Sequence, residues 1–297
     1  MLDVTTTLEA VTTPDGRRLD VYLGGPPDGD ALLFHIGTPG APVPYEPSIR
    51  AMAARGLRYV AFSRPGYGSS TRRPGRSVAD VADDVATVLN HAGADTALAF
   101  GWSGGGPHAL ASAALLPERI RAVATIGGVA PFLADGLDFL EGMGDENIEE
   151  FDAAAESAEA LLVFKERNWP IFREVTGPDC ARALGDLVDD VDRSALTGEF
   201  AEWTAATFRE ALRESYWGWF DDDMAFVRPW GFDLDQIGVP AHVWQGRHDR
   251  MVPFSHGVWL ARNLPTAVPH LFEDEGHLSL GVTRFGDILD ALVDAGR

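Results

Sequence analysis

The chain has 297 residues, 45% of them hydrophobic, and a formal net charge of −21. That length allows one large α/β core with an inserted subdomain, and the acidity argues against nucleic acid or an anionic membrane as partner. There is no apolar run of membrane-spanning length and no basic leader or apolar signal segment at the start, and the single cysteine, Cys180, cannot close an intrachain disulfide, so a cytoplasmic location is expected.

Residues 2–24 read as an edge hairpin turning at Pro14-Asp15-Gly16. Residues 31–34 (Ala-Leu-Leu-Phe) are continuously apolar, as in a strand covered on both faces. They run into His35-Ile36-Gly37-Thr38-Pro39-Gly40. A helix is expected over 46–55, stopped by Gly56. A buried strand over 59–62 follows, then the loop Ser63-Arg64-Pro65-Gly66-Tyr67-Gly68-Ser69-Ser70. Ser77 is expected to cap a helix reaching His91, with Val81, Val85 and Val88 on its apolar face.

The most informative stretch is 96–117. A short apolar run, 97–100, meets Gly101-Trp102-Ser103-Gly104-Gly105, and a small-residue helix pattern over 107–116 ends at Pro117. A serine flanked by glycines between a buried strand and a helix suits a tight turn that exposes its hydroxyl. Gly101 and Gly105 let strand and helix approach, and the helix N-terminus favours negative charge beside Ser103. A phosphate loop would need Gly-Lys-Ser/Thr, yet the only lysine is Lys165; Thr71 stands where a dinucleotide fingerprint starting at Gly66 needs its third glycine.

A strand over 122–126 follows, and then the alternation of strand and helix stops. Residues 131–230 read as helical, rich in Ala and Glu, with 24 Asp+Glu against 8 Lys+Arg. Such a balance reads first as a solvated helical surface and alternatively as an entrance attracting cationic substrates. Aromatics crowd its end: Trp203, Phe208, Tyr216, Trp217, Trp219, Phe220, Phe226 and Trp230. Most are expected in packing, with one or two lining an apolar pocket. A strand over 241–244 leads into Gly246-Arg247-His248-Asp249-Arg250-Met251-Val252-Pro253, another over 268–272 into Gly276-His277, and an amphipathic helix over 285–293 closes the chain.

These motifs resemble the α/β-hydrolase superfamily. Gly101-Trp102-Ser103-Gly104-Gly105 matches its G-x-S-x-G nucleophile elbow, and the order Ser103, Asp249, His277 is the family's order of nucleophile, acid and base. The loop at 35–40 is similar to the family's His-Gly-x-Pro-Gly motif, with Ile36 extra or substituted. The loop at 63–70 is similar to D-x-P-G-x-G-x-S, with Ser63 in place of the acid. The resemblance implies a mostly parallel eight-stranded sheet flanked by helices, with body residues 1–130 and 231–297 and a helical cap over 131–230. It implies an oxyanion hole from the N–H groups of Thr38 and Gly104.

The reaction then expected is cleavage of a small carboxylic ester or lactone through an acyl-enzyme. His277 would act as base and Asp249 would orient it. His248 adjoins Asp249 but points away on an extended segment; His35, His91, His108, His242, His256 and His270 fit structural roles, and Cys180 a small buried side chain. No metal or other cofactor is implied, since no H-E-x-x-H or Cys/His cluster occurs. Two alternatives stay open: a prolyl aminopeptidase-like amide hydrolase, whose acidic cap would hold a substrate ammonium, and a small-molecule receptor on the same fold.

Overall fold

Eight strands form one sheet in the order β1-β2-β4-β3-β5-β6-β7-β8. They are β1 Thr6–Thr12, β2 Arg18–Gly24, β3 Asp30–His35, β4 Leu57–Phe62, β5 Ala97–Trp102, β6 Ile120–Ile126, β7 Ala241–Gly246 and β8 Ala267–Phe272. The computed structural model describes residues 3–297, so Leu2, where the hairpin was expected to begin, lies outside the described residues. The β1–β2 hairpin and the β2–β4 pair are antiparallel, and every other pairing is parallel. The inner strands are mostly apolar and buried because both faces are covered.

Alternation along the strands sorts the core into two layers. Leu33, Ala99 and Val123 face α2 (Val81–His91) and α3 (Gly105–Leu115), packing with Val85, Val88 and Leu110. Their neighbours Leu32, Phe34, Phe100 and Ala124 face the other way, with Ile49 and Met52 of α1 (Glu46–Ala53). Helix α1 stops two residues earlier than expected, and Gly56, at φ 71°, turns the chain into β4. The expected cap on α2 is corrected too. The helix starts at Val81, and Ser77 spends its N–H and hydroxyl on the Asp80 carboxylate, at 2.7 and 2.9 Å, one turn too early to cap it.

Between β6 and β7 the described chain is helical: α4 (Asp145–Glu156), α5 (Ala158–Glu174), α6 (Cys180–Ala183), α7 (Asp190–Ala195), α8 (Gly198–Leu212) and α9 (Trp217–Phe226), with short 3₁₀ turns. Phe164, Phe172, Cys180, Leu196, Phe200 and Trp219 gather there into an apolar cluster. The chain closes with α10 (Phe254–Asn263), α11 (His277–Thr283) and α12 (Phe285–Ala295); Ile288, Leu289 and Leu292 of α12 join the α1 layer. Among the described residues no helix is long and apolar enough to cross a membrane.

Candidate active site

Ser103 stands between β5 and α3 with φ at 56°, the only non-glycine residue with positive φ among those described. That conformation costs about 1–2 kcal/mol for an L-residue. The surroundings hold it there. The Ser103 N–H donates to the Ile126 carbonyl at 2.8 Å, and the Gly106 N–H donates to the Ser103 carbonyl at 2.8 Å. Side chains are excluded on either side: a Cβ on Gly105 would lie 2.0 Å from the His35 carbonyl oxygen, and one on Gly104 2.5 Å from Thr38 Oγ1. The result is a half-buried serine at the N-terminus of an 11-residue helix, where partial positive charge gathers.

Asp249 lies on the loop after β7 and His277 opens α11 beyond β8, and both are buried. His277 Nδ1 lies 2.7 Å from Asp249 Oδ2. The other carboxylate oxygen of Asp249 accepts from the N–H groups of Met251 and Val252, and Gln245 Nε2 donates to Oδ2. With Asp249 fixed by these bonds, Nδ1 carries the proton and Nε2 is left free as acceptor. Burial opposes the imidazolium, but the charge and hydrogen bond of Asp249 outweigh it and hold the His277 pKa above its ordinary value. Ser103 and His277 line the same cavity of about 80 Å³, and no hydrogen bond joins the serine hydroxyl to the imidazole; such contacts commonly tighten only around a substrate.

Two groups from the helical insert brace the segments around the serine: one after β8, the other after β3 and β4. Asp192 of α7 accepts from the N–H groups of His277, Leu278 and Ser279 at 2.8–2.9 Å, capping the helix whose first residue is His277. Burial and the nearby Asp249 charge raise the Asp192 carboxyl. Asp222 of α9 receives Arg64, Arg76, Tyr67 and the Thr38 hydroxyl. Burial alone would raise its pKa; the two guanidinium groups hold it well below the usual carboxylate range. Arg64 also donates to the Ile36 and Gly37 carbonyls, at 2.5 and 3.1 Å. A trans peptide sets its C=O and N–H on opposite sides, so the Thr38 N–H faces away from Arg64. Neither it nor the Gly104 N–H donates to a backbone carbonyl among the described residues.

Ser103 borders a second cavity of about 40 Å³ on its other side. Thr38, Ser103 and Met251 are common to both, but the second is lined by Glu150 and Asp223 where the first has Trp203 and Phe208. Lys165, the chain's only lysine, is fully buried between those two carboxylates. Its ammonium also lies 3.6 Å from the centre of the Trp219 ring. One ammonium serves two carboxylates, so burial and the Glu150 charge push Asp223 well above its ordinary pKa. The neighbouring Glu146 is pushed up to about 7, by burial first and Glu150 second.

The remaining histidines are bound elsewhere. His35 meets Ser112, His108 meets Asp222, His242 meets His270, and His256 meets the Phe139 carbonyl. His91 pairs with Glu9, and His248 points to Asp189. Cys180 is buried in the insert, where burial raises its thiol to about 12. Among the described residues, no group of three or more His, Cys, Asp or Glu is arranged to hold a metal ion.

A family model described as the alpha/beta hydrolase fold matches residues 30–157. An esterase from Exiguobacterium antarcticum superposes with a TM-score of 0.69 at 20% identity, over 97% of this chain and 98% of that one. The chain has the α/β-hydrolase fold. The chain is 26% identical to a non-heme chloroperoxidase of Streptomyces lividans, over 82% of its own length and 83% of the relative's. It is 29% identical to a bifunctional esterase/perhydrolase of Acinetobacter calcoaceticus, over 82% and 83%.

Sequence reasoning missed Asp192, Asp222 and the Glu150–Lys165–Asp223 group. For Lys165 a signal existed: a single lysine in 297 residues is unusual enough to ask what holds it. Asp192 and Asp222 had none, since each sits among neighbouring acids of the same type.

Proposed function

We propose that this α/β-hydrolase is a serine hydrolase of small carboxylic esters or lactones. Residues 131–230 serve as a cap over a body formed by 1–130 and 231–297. The observation that carries the reading is a strained, half-buried serine at a helix N-terminus, sharing a cavity with a histidine whose Nδ1 is bound by a buried carboxylate. Ser103 Oγ attacks the ester carbonyl while His277 Nε2 takes its proton. The tetrahedral oxyanion is held by the N–H groups of Thr38 and Gly104. Collapse breaks the bond to the leaving alkoxide, which takes the proton from His277. Water then repeats the sequence on the acyl-enzyme, with His277 again receiving and returning the proton. Asp249 orients the ring and stabilises its cation; Asp192 and Arg64 act as positioning residues.

The 80 Å³ cavity limits the acyl group. An apolar cavity of about 150 Å³ holds a benzene ring, so acetyl to butyryl groups fit and octanoyl does not. Turnover of p-nitrophenyl acetate, butyrate and octanoate tests this: kcat/KM is expected to fall across the series, and turnover of none of them would overturn the reading. The acidic cavity favours a second reading, an amide hydrolase that holds a substrate ammonium against Glu150 and Asp223. Faster cleavage of proline p-nitroanilide than of p-nitrophenyl butyrate would replace the ester reading with that one.

A further inference from the structure

A third cavity, of about 310 Å³, lies outside the catalytic pair. Phe34, Tyr59 and Phe100 of the sheet form its floor, Met52 of α1 and Phe285 of α12 its sides, and Val282, 44% exposed, stands at its rim. No carboxylate, ammonium or guanidinium lines it. Tyr59 already donates its hydroxyl to the Pro42 carbonyl at 2.8 Å, leaving Tyr45 and Ser48 as the polar side chains facing it. It shares two residues with the cavity beside Ser103, namely Trp102 and Trp203. Both indole N–H groups are engaged, Trp102 with the His277 carbonyl at 3.2 Å and Trp203 with the Val43 carbonyl at 2.7 Å. The two rings, 6.2 Å apart, therefore form a wall between the cavities.

We infer that this chamber is a binding site for a neutral, apolar small molecule about the size of a bicyclic aromatic, and that its occupancy bears on Ser103 and His277 through Trp102. A dry apolar cavity of about 150 Å³ takes one benzene ring, and this one has twice that volume with aromatic walls. Charged ligands are excluded because nothing in the lining would repay their desolvation. The coupling follows from what Trp102 touches. It precedes Ser103 in the chain, holds the backbone of His277, and lies over Gly281, where a Cβ would come within 2.3 Å of the ring. A ligand pressing on this indole cannot move it without disturbing the elbow or α11. The coupling rests on the serine-hydrolase reading; the binding site does not.

Calorimetric titration with 2-naphthol and 2-naphthoate tests the site. 2-Naphthol is expected to bind the wild type and Ser103→Ala equally, once per chain, and 2-naphthoate at least about tenfold more weakly. Val282→Trp should weaken 2-naphthol at least about tenfold by plugging the rim; Ser48→Phe does the same from α1 should the first variant not fold. No binding, or binding indifferent to both plugs, overturns the site. Saturating 2-naphthol should change the rate at which a fluorophosphonate labels Ser103 without blocking the label. An unchanged rate overturns the coupling, and complete protection places the ligand at Ser103 instead. A protein whose Ser103 never labels contradicts the hydrolase reading and leaves the titration to decide the chamber.

Discussion

The body and the helical insert contribute to one candidate site by different means. The body contributes backbone: a serine at positive φ, glycines that let a helix and a loop approach it, and Asp249 and His277 just beyond the ends of β7 and β8. The insert contributes charge. Among its buried acids, Glu150, Asp192, Asp222 and Asp223 each meet a cation or a row of N–H groups at or next to the site. Backbone geometry of this kind demands particular residues at fixed spacing. A buried carboxylate demands only a partner, which can come from anywhere in the chain.

The comparison can be broken by experiment, starting where the effect is largest. Ser103→Ala should lower ester kcat by about 10⁴–10⁶ and leave Tm no lower than wild type, because it removes chemistry and not packing. Asp249→Asn should cost about 10⁴ in kcat. It also changes the pH profile. The wild-type acid limb, read from kcat/KM, should lie above the ordinary histidine value of 6.5, since activity needs neutral His277 and its pKa is raised. Without the Asp249 charge, burial dominates and the limb should move to lower pH. A limb that stays in place would mean His277 is not the titrating base.

The insert should respond differently. Asp192→Asn keeps the shape but loses the charge and part of the cap on α11, so kcat should fall by up to about 10² with KM little changed, and stability by about 1–2 kcal/mol. Lys165→Met leaves two buried carboxylates without a cation, and urea unfolding near pH 7 should show a loss of about 3–5 kcal/mol. That loss should shrink on acidification, because protonated carboxyls no longer need the ammonium. By contrast Glu149→Ala, which removes an ion pair to Arg167 more than half exposed on both sides, should change stability by no more than about 0.5 kcal/mol. Equal effects of the last two would erase the distinction between buried and surface charge in the insert.

The same contrast explains what could be read from the sequence. Apolar runs gave away the inner strands, and the pairing of glycine with Ser103, Asp249 and His277 marked the elbow and the loops after β7 and β8. Each of those features is local. The acidity of 131–230 read first as a solvated surface, which holds for Glu149 and fails for Asp192 and the run Asp221-Asp222-Asp223. Whether an acid is buried depends on where Arg64, Arg76, Lys165 and the N-terminus of α11 lie in space, and sequence spacing carries none of that. Ser77 failed for a related reason: Asp80, nearer the helix, takes its hydroxyl.

On the proposed mechanism Ser103 is a nucleophile activated by His277. The most direct measurement is fluorophosphonate labelling with peptide mapping on the wild type, Ser103→Ala and His277→Ala. The expected result is one label per chain on Ser103, absent in Ser103→Ala and slowed by at least about 10² in His277→Ala. A folded wild-type protein that takes no label, or a label on Ser103 that is indifferent to His277, would contradict the account.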